Sequence, residues 1–132
     1  MLYRTLRPRP PLDAVVRCFW ILRDDAPAAG APFERVLPDG CPEIVFHRGD
    51  PFVRRHWSEA EPSSQHRSAF VGQLDRWIDI RPTGRVHVLG VRFRPAAAPA
   101  VLREAAHRST GRSLPLHELL GAEGRRLEEA VM

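Results

Sequence analysis

Between Arg85 and Phe93 hydrophobic positions alternate, so an extended chain puts Val86, Val88, Gly90 and Arg92 on one face and His87, Leu89, Val91 and Phe93 on the other. Shorter stretches of strand character run over Glu34–Leu37, Glu43–His47, Ser68–Gln73 and Arg76–Arg81. Cys18-Phe19-Trp20-Ile21-Leu22 is apolar throughout and reads as a buried strand, entered from a helical turn by the spacing of Leu12, Val15, Val16 and Phe19. Six or seven such strands predict a mainly β fold, a barrel or sandwich of short antiparallel strands.

Turn chemistry divides these strands. The proline-rich residues 4–11 form an extended arm or edge element, since proline fixes φ and removes a donor. Asp24–Pro32 and Glu59–Ser68 are loops, and Pro82-Thr83-Gly84 turns the chain. Pro38-Asp39-Gly40 has β-turn composition, which predicts a hairpin of Glu34–Leu37 with Glu43–His47. After Phe93 the pattern turns helical. A helix opening at Pro95 or Pro99 carries Val101, Leu102, Ala105 and Ala106 as its apolar stripe and ends at Gly111. A second helix carries Leu116, Leu119 and Leu120 up to Gly121 or Gly124, and Arg125–Met132 continues as helix. The predicted organisation is a β-rich domain over residues 1–112 and a helical segment over residues 113–132.

Length and composition narrow the classes. A chain of 132 residues fits one compact domain, and 43% hydrophobic with 27% charged residues supplies a core. The longest apolar runs fall well short of a bilayer span, and the N-terminus lacks a signal-peptide pattern, so a cytoplasmic location away from the membrane is expected. Cys18 and Cys41 are too few for a disulfide framework. All 20 basic residues are arginine, which fits a GC-rich coding sequence, and 9 of them fall in residues 62–112, interleaved with strand positions. That distribution differs from the clustered basic arm or helix that tracks phosphates.

Candidate chemistry is sparse. The six histidines, at 47, 56, 66, 87, 107 and 117, form no metal-ligand pair with each other or with the cysteines, and read as surface residues with His87 partly buried. No metal or cofactor is expected. Cys41, Asp39 and His47 offer a thiol, an orienter and a base, but Cys41 sits between a turn glycine and Pro42, where no helix N-terminus activates it. Arg35, Glu43 and Arg92 lie within apolar strand patterns and must be paired if buried, most simply with one another. In the functional alternative these charges and Gln73 line a ligand cavity walled by Trp20, Phe46 and Trp77.

Five segments in order carry a resemblance: Pro11–Val16 followed by Phe19-Trp20, Val36–Phe46, Val71-Gly72-Gln73, Val88–Pro95, and Leu116-x-x-Leu119-Leu120-Gly121. Together they resemble the N-terminal domain of a group of bacterial AraC-type transcriptional regulators. The resemblance implies a cupin-like sensing domain, a helical segment for linkage or homodimerisation, and a separate DNA-binding unit of two helix-turn-helix motifs. The chain stops where that unit would begin, so it is not expected to bind an operator by itself. It implies no enzymatic activity, and a partner that is a small-molecule effector. The alternatives are a stand-alone cupin-like metal-dependent enzyme and a purely structural dimerisation module.

Overall fold

A computed structural model describes residues 1–28, 30–56, 61–97 and 113–132. The chain forms β1 (Leu2–Leu6), a 3-10 turn (Leu12–Ala14), β2 (Val16–Asp24), β3 (Glu34–Val36), β4 (Glu43–His47) and β5 (Val53–His56). These are followed by β6 (Ser63–Ser64), β7 (Ser68–Val71), β8 (Ile78–Arg81), β9 (Val86–Phe93), β10 (Ser113–Pro115), α1 (Leu116–Leu120) and α2 (Ala122–Val131). The fold is mainly β, with C-terminal helices. One antiparallel sheet has the order β1-β2-β9-β4-β7-β10 and the other β3-β8-β5-β6, and no ladder joins the two among the described residues.

The large sheet is covered on both faces, which explains the unbroken apolar run in β2. Along β2, β9, β4 and β7, one set of side chains turns toward the helices: Ile44, Phe46, Phe70 and Phe93 pack with Leu116, flanked by Leu119, Leu120 and Val131. The alternate set turns toward the small sheet, where Val86 and Val88 pack with Phe52, Trp20, Leu22, Val45 and Ile80. The molecule thus has three layers, small sheet, large sheet and helices, with a separate core on each side of the middle one.

The helices are held by more than apolar contact. Leu116 is fully buried, and the Ser68 hydroxyl on β7 donates to the Glu128 carboxylate at 2.8 Å. Between α1 and α2, Gly121 adopts φ +59°, a left-handed conformation that glycine supplies without steric cost.

Several expectations meet this structure directly. The turn at Leu12–Ala14, the strand through Cys18–Leu22 and the two C-terminal helices are present, while the edge strand covers Leu2–Leu6 and so only the first part of the arm expected over residues 4–11. The hairpin at Pro38-Asp39-Gly40 is not. Its turn chemistry exists, since Asp39 Oδ1 accepts from the Cys41 N–H at 2.9 Å and Gly40 has φ +76°. The connection instead carries the chain from one sheet to the other: β3 pairs with β8, while β4 pairs with β7 and β9. Local turn composition specifies a bend, and the choice of strand partner is made by the faces that must be buried. Strand β5 was not anticipated because Val53-Arg54-Arg55-His56 has little apolar pattern, and β10 adds a short edge strand on β7 ahead of the predicted helix. The helix predicted between Pro95 or Pro99 and Gly111, with Val101, Leu102, Ala105 and Ala106, falls almost wholly outside the described residues.

Candidate functional site: a cavity between the sheets

Strand register brings the candidate site together. In the large sheet Trp20 lies opposite Gly90, Val45 lies opposite Gly90 from the other side, and Glu43 lies opposite Arg92. All of these positions face the small sheet, whose Val36, Ile78 and Ile80 come from β3 and β8. Between them is a cavity of about 130 Å³. Two further spaces adjoin it. One, of about 80 Å³, is reached past Asp39 and Cys41. The other, of about 460 Å³, opens past Tyr3 and Glu34 and is shared by Trp20, Leu22 and Val36.

Gly90 is what allows Trp20 to lie there. A Cβ at this position would fall on the Cε2, Nε1 and Cζ2 atoms of the indole, so the ring rests directly on the β9 backbone. Its Nε1 is buried and makes no hydrogen bond of full geometry among the described residues, with the Glu43 carboxylate as the neighbouring acceptor. His47, 3% exposed, has the same defect at Nδ1, and its ring packs at 5.3 Å from that of Phe52. Buried polar groups are nearly always satisfied, because an orphan costs the desolvation of that group. Both groups lie at the same cavity.

The charges at the site are already balanced. Arg92 Nε donates to Glu43 Oε1 at 2.7 Å, with Asp39 Oδ2 3.8 Å from the same nitrogen. Burial raises the Glu43 pKa, and the Arg92 guanidinium opposes that rise. Burial pulls His47 down to about 4, helped by the positive Arg67, so its imidazole is neutral at neutral pH. Gln65, which also lines the cavity, hydrogen-bonds the His47 side chain and opposes that fall.

Of the residues expected to line a cavity, the structure brings Trp20, Glu43 and Arg92 together and moves the others elsewhere. Phe46 faces the opposite way, into the core beneath the helices, because it is one residue out of phase with Glu43, Val45 and His47. Gln73 donates to the carbonyls of Gly40 at 2.8 Å and Pro95 at 3.3 Å, and so ties two loops together. Arg35 does not join Glu43 and Arg92: its Nε donates to Asp79 Oδ1 at 3.1 Å. Trp77 is likewise outside the cavity, with the Arg35 guanidinium 3.6 Å from its ring centre. Arg55 completes this second cluster through a 3.1 Å bond to Asp79 Oδ2, and the two arginines hold the Asp79 carboxyl below its usual range.

Sequence reasoning missed His47, Phe52, Gln65 and the small-sheet wall. His47 was expected at the surface and is buried. The available signals were its in-phase position with Glu43 and Val45, and a glycine inside a strong strand pattern, which marks a close approach. Cys41 is buried with Arg17 Nη1 3.2 Å from its sulfur, and Asp39 serves the turn and Arg92 rather than a thiol–base pair. Among the described residues no group of three or more His, Cys, Asp or Glu could hold a metal ion, and no helix is long and apolar enough to cross a membrane.

Residues 4–115 match the family described as a domain of unknown function, DUF6597. The chain belongs to that family. No curated protein and no solved structure matches it.

Proposed function

We propose that this DUF6597 chain is a ligand-sensing domain, the regulatory N-terminal part of an AraC-type transcription factor, built as an opened relative of a cupin-like barrel. The observation that carries the reading is the inter-sheet cavity with Trp20 Nε1 and His47 Nδ1 buried at it without a hydrogen bond of full geometry among the described residues. A small-molecule effector there gives these groups a partner that the described residues do not supply. Trp20, Glu43 and Arg92 are the binding residues retained from the sequence reading, joined by His47 and Gln65.

The layered fold gives such an effector a route outward. Glu43, Val45 and His47 of β4 line the cavity, while Ile44 and Phe46 of the same strand support Leu116 and its neighbours. One strand layer thus separates the cavity from the helices that would lead to a DNA-binding unit. An effector acts as a switch only if it binds two arrangements of that layer with different affinity.

Native mass spectrometry of the purified chain tests the reading. A retained organic adduct that is lost in a Trp20→Phe, His47→Phe double variant supports it, and a dimer carrying that adduct also supports the regulatory architecture. A stoichiometric metal ion with no organic adduct overturns it in favour of a metal-dependent enzyme.

A further inference from the structure

The chemistry of the cavity narrows what it accepts, and this inference rests on the sensing reading above. The indole of Trp20 covers Gly90 with no space for a Cβ beneath it, so one ring face lies on the strand and the ring forms part of the cavity wall. A flat wall of this kind suits a planar, polarisable molecule. The volume of about 130 Å³ is close to the roughly 150 Å³ cavity that takes benzene, and the adjoining spaces give room for a substituent.

Charge excludes two classes. Among the described residues the acidic group lining this cavity is Glu43, which is held by Arg92 at 2.7 Å, so an added cation would compete with a guanidinium already in place. Arg92 lines both adjoining spaces, but its guanidinium is already held by Glu43, so a carboxylate or phosphate would have to compete with that carboxylate for it. Two neutral groups at the cavity make no hydrogen bond of full geometry among the described residues: the Trp20 indole N–H, which can only donate and has the Glu43 carboxylate nearby, and His47 Nδ1, which donates or accepts according to tautomer.

We propose that the inter-sheet cavity takes a small, uncharged aromatic or heteroaromatic molecule bearing a hydrogen-bond acceptor, stacked against Trp20 with its acceptor on Nε1 and a second polar edge at His47. Benzamide, benzoate, benzylammonium and toluene form a test series of one shape and different polarity. Each is titrated into the ¹⁵N-labelled chain, following the indole N–H signal of Trp20, assigned with Trp20→Phe, and the ring signals of His47. The expected result is that benzamide binds at least tenfold more tightly than benzoate or benzylammonium and several-fold more tightly than toluene, with a downfield shift of the Trp20 N–H. In Trp20→Phe, checked for retained fold by circular dichroism, the preference for benzamide over toluene collapses. Tighter binding of benzoate or benzylammonium, with the same signals moving, overturns the ligand class and leaves the cavity as the site. No movement of either signal with any of the four overturns the sensing reading itself.

Discussion

Phe46 and His47 are adjacent in β4 and both buried, yet they face opposite cores of different quality. On the helix side Phe70 and Leu116 are wholly inaccessible and packed with Ile44, Phe46 and Phe93. On the small-sheet side the same strands leave a cavity, two buried polar atoms without a hydrogen bond of full geometry among the described residues, and an ion pair beside it. Dispersion and burial are gained in the first core and partly forfeited in the second. A sheet covered on both faces can pack one closely and leave the other incompletely filled.

The largest expected effect comes from damage to the filled core. Phe70→Ala should cost about 3–5 kcal/mol in urea unfolding, whereas Phe52→Ala, beside space that is already empty, should cost clearly less. Equal losses would remove the contrast between the cores.

Acid should act on the hollow core through His47. Its native pKa of about 4 lies below the ordinary 6.5, so the unfolded chain binds a proton first as pH falls. The stability this neutral imidazole confers is complete above about pH 6.5 and is lost between there and pH 4, by about 3 kcal/mol at most. Glu43 acts in the opposite sense: its raised pKa withdraws stability as pH rises beyond its ordinary range. Comparing His47→Asn with the unaltered chain isolates the histidine, and the stability–pH slope between pH 4 and 6.5 should flatten in the variant.

Gly90→Ala should cost about 1–3 kcal/mol by overpacking and displace the indole, which a shift in tryptophan emission would report. Unchanged emission and stability would mean that the ring does not rest on β9. Arg92→Ala should cost about 1–3 kcal/mol, less than a fully buried pair because both side chains retain some exposure. A double-mutant cycle with Glu43→Gln should show most of that loss as coupling. The smallest effect belongs to Glu128→Ala, about 1 kcal/mol, since it leaves the buried Ser68 hydroxyl without its acceptor.

The periodicity of residues 86–93, the apolar run at 18–22 and the helical spacing near Leu116 determined that these segments form strands and helices, because a side chain's face follows from its parity or its helical angle. They also placed Glu43 and Arg92 in strands, where burial requires a partner. Tertiary structure decided which partner. Arg35 had the same sequence signature as Arg92, yet register set it across from Asp79 and set Arg92 across from Glu43. The turn at Pro38-Asp39-Gly40 was legible, but its strands went to different sheets, since pairing depends on which distant faces bury one another. The cavity was least legible of all. It is bounded by side chains from β2, β3, β4, β7, β8 and β9, and a void between sheets leaves no mark on any one segment except a glycine whose missing Cβ makes room for a tryptophan.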